Sequence, residues 1–151
     1  NDNAPGQIVL SGHVGAVQRA VKIGKKKGAK RSILLAVSAP FHCSLMAPAA
    51  DIMAGVLGGV QLNVPMIPIV ANVTAAPEVE PLQIRRLLVE QVTSPVRWRE
   101  SIMKMKQLGV DTFVEVGVGK VLTGMVKRID RELKSLSIQS ADDIDEFLNS
   151  T

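Results

Sequence analysis

Apolar and polar positions change period repeatedly along the chain, and each change marks an element. Residues 7–12 form a short apolar run that predicts a strand. Val14, Val17, Val21 and Gly24 then recur at helical spacing, with Gly28 as the helix stop. The run Ile33-Leu34-Leu35-Ala36-Val37 predicts a second strand over 32–37. A helix over 45–60 carries Pro48 in its first turn, where the missing N–H is tolerated. Residues 66–73 contain Pro68 and read as an irregular strand at an edge or bulge. Two amphipathic helices follow over 81–92 and 96–108, the second stopping at Gly109. A buried strand over 112–116, a helix over 119–133, a strand over 135–138 and a helix over 141–148 complete the pattern. The last helix opens on acidic residues, which suit the positive end of its dipole. No internal repeat or low-complexity segment interrupts the series. Alternating strands and helices predict an α/β fold.

Composition narrows the class. At 151 residues with 46% hydrophobic positions, one domain is expected, with room for a real core. No apolar run approaches the ~20 residues needed to span a bilayer, so no membrane part is expected. No signal peptide is visible. The single cysteine excludes an internal disulfide and a cysteine-cluster metal site, and suits a reducing cytoplasm. The first residue is Asn and the chain opens inside a motif, so a fragment of a longer protein is expected.

The candidate chemistry centres on Ser38-Ala39-Pro40-Phe41-His42-Cys43-Ser44-Leu45-Met46. His42 is one of two histidines and stands in the turn after an apolar strand-like run. That mount suits a general base, although a turn histidine that only caps or is solvated shows the same local pattern. A base needs a nucleophile, and no Gly-x-Ser-x-Gly elbow occurs in the chain. His13, after Gly12 at a helix start, reads as a capping or exposed residue. Gly117-x-Gly119-Lys120 invites comparison with a phosphate loop. The Walker pattern, however, has four residues between its glycines and Ser/Thr after the lysine, whereas one residue separates these glycines and Val121 follows. A tight strand-to-helix turn is the expectation.

Several segments together resemble a known family. They are Asn1-Asp2-Asn3-Ala4-Pro5-Gly6-Gln7-Ile8-Val9-Leu10-Ser11-Gly12-His13, Gly28-Ala29-Lys30-Arg31, the Ser38–Met46 stretch, Pro48-Ala49-Ala50 and Val70-Ala71-Asn72-Val73. Gln91-Val92-Thr93-Ser94-Pro95-Val96-Arg97-Trp98 and Glu115-Val116-Gly117-Val118-Gly119-Lys120-Val121-Leu122-Thr123-Gly124 complete the set. In this order and spacing they resemble the C-terminal half of malonyl-CoA:acyl-carrier-protein transacylases, the acyltransferases that load malonyl groups for fatty acid synthesis. The likeness runs from Asn1 to about Arg128. One departure is Val118, where the family usually has proline.

The resemblance implies a partial α/β-hydrolase-like acyltransferase domain with part of a ferredoxin-like small subdomain. Residues 1–36 would be the back of the small subdomain, and 37–151 the C-terminal part of the large one. It implies malonyl transfer from malonyl-CoA to the pantetheine thiol of acyl carrier protein, through an acyl-serine and without a cofactor. His42 would be the base. The missing N-terminal half of the same protein would carry the serine, the arginine for the malonyl carboxylate and the oxyanion-hole donors. This chain alone is therefore expected to be inactive and to expose apolar surface.

Further roles follow from the same likeness. The acceptor for the second ring nitrogen falls on the backbone carbonyl of Gln91, and Pro95, which cannot extend the helix, fits a carbonyl left free there. Without the family, Gln91 reads as a surface residue in a last helical turn. Phe41 would narrow the acyl pocket in favour of malonyl over methylmalonyl; by itself it also reads as a core plug. Asn1, Asn3 and Gln7 would lie near the cleft where pantetheine amides approach, although amides around a Pro-Gly turn usually serve the turn.

Net charge is +4, with one basic group at Lys22, Lys25, Lys26, Lys27, Lys30 and Arg31 and another at Lys127, Arg128, Arg131 and Lys134. Nucleic acid is the generic partner of such a chain. With one Trp, three Phe and no Tyr, stacking residues are scarce and no nucleic acid is expected. The resemblance points instead to the acidic carrier protein. A non-catalytic α/β module that docks an acidic protein or CoA is the alternative.

Overall fold

A computed structural model describes residues 1–149. The chain opens with a hairpin of β1 (Asp2–Ala4) and β2 (Gln7–Ile8), closed by Pro5-Gly6. Pro sets the first turn residue and Gly6 takes φ +73°, a conformation that needs no Cβ. Helix α1 (Val14–Lys26) follows. It ends where the pattern places its stop: Gly28 sits at φ +90°, its N–H bonds Lys25 O and the Ala29 N–H bonds Gly24 O, which is a Schellman cap.

A 3-10 turn (Ser44–Met46) leads into α2 (Ala47–Gly58), with Pro48 in the first turn. The antiparallel pair β3 (Ile69–Ala71) and β4 (Ala76–Glu78) precedes α3 (Pro81–Glu90) and α4 (Trp98–Gln107). The last part is β5 (Thr112–Val116), α5 (Val121–Ile129), β6 (Lys134–Ile138) and α6 (Ala141–Asn149). β5 and β6 pair in parallel, Thr112 with Lys134 through Val116 with Ile138. Parallel neighbours need a crossover, and α5 supplies it.

The core lies in this last part. Ile102 on α4 is wholly buried against Val126 on α5 and Leu133, with Trp98, Met105, Phe113 and Ile129 around them. Each such aliphatic side chain contributes about 1.5–3 kcal/mol by leaving water. The hairpin is tied to the same region: Asp2 pairs with Arg99 at 2.6 Å, and Gln7 Oε1 accepts from Arg128 at 3.0 Å.

The strand expected over 7–12 is confined to β2, and the helix expected over 119–133 to α5. Three further expectations differ. Residues 32–37 form no strand, because no neighbouring strand pairs with them among the described residues; Ile33, Leu34, Leu35 and Val37 are exposed. Residues 112–116 do form a strand, but not a buried one: among the described residues β5 pairs only with β6, and Val116 is 79% exposed. The strand expected over 66–73 shrinks to β3, which starts beyond Pro68 because proline cannot donate to a ladder. β1 and β4, three residues each, escape pattern reading altogether. The mixed helix and strand content is α/β, and no helix among the described residues is long and apolar enough to cross a membrane.

Candidate active site

His42 lies in the irregular segment between residue 37 and the 3-10 turn. It is half-buried and holds φ +60°, in the left-handed region. A residue with a Cβ pays about 1–3 kcal/mol for a sparsely populated conformation, so the surroundings must fix it. One fixing contact is a hydrogen bond between His42 Nδ1 and Gln91 O at 2.9 Å. A carbonyl oxygen can only accept. Nδ1 must therefore carry a proton, and in the neutral ring that leaves Nε2 with the free lone pair. Cys43 beside it donates its thiol to Pro40 O at 3.1 Å, closing the turn on the other side.

The carbonyl comes from the end of α3. The helix stops at Glu90, two residues before the expected end, and residues 92, 93 and 94 donate back three positions rather than four. Ser94 N reaches Gln91 O at 3.3 Å. The helical donor to that oxygen would be the N–H of residue 95. Pro95 has none, so Gln91 O keeps a lone pair for the imidazole.

Beyond Pro95 the backbone is irregular and held from two sides. Asn72 Nδ2 donates to Pro95 O at 3.1 Å, and Asn72 Oδ1 accepts from Arg97 N at 2.9 Å. From the other side, Asp2 N donates to Val96 O at 2.7 Å and Asn1 Oδ1 accepts from Val96 N at 3.3 Å. Arg97 adds a bond to Val73 O and an ion pair with Glu100, which holds the Glu100 carboxyl below the usual carboxylate range. Asn72 is the residue that pattern reading misses; its place in Val70-Ala71-Asn72-Val73 is the only sign of it.

The remaining candidates spread around this centre. Phe41, directly before His42, is 46% exposed, so it is not a core plug. Asn1 is engaged with Val96, and Gln7 with Arg128. Asn3 is half-buried in β1. His13 heads α1 through its backbone carbonyl, and its side chain makes no cap and is exposed.

The Gly117–Lys120 turn carries no anion cradle. Glu115 already accepts from the Leu122 and Thr123 N–H groups of α5, at 3.1 and 2.7 Å, and these bonds lower its pKa. Gly119 N donates to Gln139 Oε1 at 2.7 Å. Three N–H groups that a phosphate could have used are thereby occupied. Both basic groups are exposed, and Lys127, Arg128 and Arg131 line a shallow recess floored by Leu133.

No family model matches the chain. The malonyl CoA-acyl carrier protein transacylase of Haemophilus influenzae is 47% identical over 98% of the chain, and that of Bacillus subtilis 44% over 96%. The chain is similar to the C-terminal half of malonyl CoA-acyl carrier protein transacylases. It spans about half the length of these curated relatives, 48% and 46%. Solved transacylase structures agree. An acyl-carrier-protein S-malonyltransferase from Bartonella henselae superposes with a TM-score of 0.88 at 47% identity, over 92% of this chain and 44% of that one. A malonyl-transacylase in complex with its type II PKS acyl-carrier protein superposes with a TM-score of 0.94 at 42% identity, over 99% and 48%.

Proposed function

We propose that this chain is the histidine-bearing part of a malonyl-CoA:acyl carrier protein transacylase and that His42 is its general base. The observation that carries the reading is the His42–Gln91 bond. In the neutral ring this bond places the proton on Nδ1 and leaves Nε2 as the nitrogen that can take one. The nucleophilic serine, the arginine for the malonyl carboxylate and the oxyanion donors come from residues outside these 151. As the serine oxygen attacks the thioester carbonyl, Nε2 takes its proton. The carbon–sulfur bond then breaks, and the same proton passes to the departing CoA thiolate. In the second half, the pantetheine thiol of the carrier protein gives its proton to Nε2 and attacks the acyl-serine. The serine oxygen leaves and recovers the proton. The chemistry needs no cofactor.

A neutral carbonyl is a sufficient partner for this base. It orients the ring and fixes the tautomer without the desolvation cost of a buried carboxylate. Under this reading the enzyme works in the cytoplasm, where its lone cysteine stays reduced. Residues 1–36 belong to a small subdomain and 37–151 to a large one, the last two residues lying outside the described part. The hydrogen bonds of Asn1, Asp2 and Gln7 to Val96, Arg99 and Arg128 join the two. Asn1, Asn3 and Gln7 line the approach of pantetheine, and one of the basic faces docks the carrier protein.

The test is malonyl transfer by the intact enzyme, followed as the mass gain of the carrier protein from malonyl-CoA. An intact enzyme that leaves the carrier unmodified overturns the reading. Specificity gives a second measurement. Phe41 is adjacent to the base and partly exposed, so its ring can border the acyl α-carbon. Phe41→Ser should relax selection against methylmalonyl-CoA, since one methyl against a filled pocket discriminates by about 1–3 kcal/mol. The readout is the ratio of kcat/KM for the two acyl-CoAs. An unchanged ratio removes Phe41 from the selector.

A further inference from the structure

We propose that Asn72 is a positioning residue for His42, acting through the backbone from Arg97 to Gln91. This rests on the reading of His42 as the base. Asn72 follows β3, on an element separate from both the histidine turn and α3. Its carboxamide is the side-chain equivalent of a peptide unit, with one donor face and one acceptor face. It uses both on residues two apart: Nδ2 donates to Pro95 O at 3.1 Å and Oδ1 accepts from Arg97 N at 2.9 Å. The amide orientation is fixed by its partners, since Pro95 O can only accept and Arg97 N can only donate.

The bonds matter because of what lies between them and the histidine. Residues 91–94 are a tightened helix end held by three-residue bonds, the last being Ser94 N to Gln91 O at 3.3 Å. Such a turn has no helical donor from Pro95 to define its exit. Asn72 supplies the missing anchor one residue later. Asn1 and Asp2 hold Val96 from the opposite side, so the exit segment is clamped in direction as well as position. The clamped exit sets where Gln91 O points, and Gln91 O sets the His42 ring.

The test uses the intact enzyme, with His42→Ala measured beside Asn72→Ala and Asn72→Asp. Asp keeps the size and the acceptor for Arg97 N, but it sets an oxygen against Pro95 O. Asn72→Ala should lower kcat about ten- to a hundredfold, the scale of a misplacement near 1 Å, and leave the malonyl-CoA KM nearly unchanged. In both variants the nitrogen-15 ring shifts of His42 should move from one tautomer with Nδ1 protonated to a mixture. A purely structural asparagine would lower Tm without touching the tautomer. Variants with a lowered Tm, normal kcat and a single His42 tautomer therefore overturn the proposal. If Asn72→Ala fails to fold, Asn72→Asp decides by the same two readouts. If His42→Ala retains turnover, the base reading fails. If His42→Ala is inactive and both Asn72 variants match the wild type, only the positioning role fails.

Discussion

Replacing His42 with alanine in the intact enzyme should lower the acylation rate by about 10²–10⁴-fold, the usual cost of losing a general base. Substrate binding should change far less, because the ring acts on the proton of the nucleophile and not on the bound thioester. The contrast with Gln91 makes the result specific. Gln91→Ala keeps the backbone carbonyl that His42 Nδ1 donates to, so its effect should be mild. The measurements are single-turnover acylation with malonyl-CoA and steady-state transfer to the carrier protein. Near-normal turnover in His42→Ala would show that another group takes the proton. A Gln91→Ala loss as large as that of His42→Ala would shift the role from the carbonyl to the side chain.

The sequence reached this site unevenly, for physical reasons. α3, α4, α5 and the β5–β6 pair were legible because each holds one period over several residues and ends on a clear signal, Gly109 after α4 for example. β1 was not legible: Asp2-Asn3-Ala4 has no strand propensity and exists as a strand only because the Pro5-Gly6 turn brings β2 alongside. The segment 32–37 failed in the opposite way. Its composition is that of a strand, but a strand also requires a neighbour. Gln91 left almost no trace, since a backbone carbonyl has no side-chain signature; Pro95 was the one hint. The two contacts of Asn72 lie 23 and 25 residues away, beyond any local pattern.

The chain by itself should transfer no malonyl group. No Gly-x-Ser-x-Gly elbow occurs in its 151 residues, and a base without its nucleophile has no proton to take. Its surface carries a second expectation. Parallel strands are normally covered on both faces, yet Val116 at the end of β5 and Val118 after it are 79% and 99% exposed. Met66 and Ile67 are likewise open, as is the apolar run from Ile33 to Val37. Large exposed apolar surface marks interaction sites, and the serine-bearing half is the partner proposed for these residues. Incubated alone with malonyl-CoA and carrier protein, the chain should leave the carrier mass unchanged and bind a hydrophobic dye strongly. Adding the serine-bearing half should suppress the dye signal and start transfer together, because the same packing that covers these residues brings the serine to His42. Turnover by the isolated chain clearly above buffer would mean that it holds a nucleophile of its own, and the division of the site between two halves would be wrong.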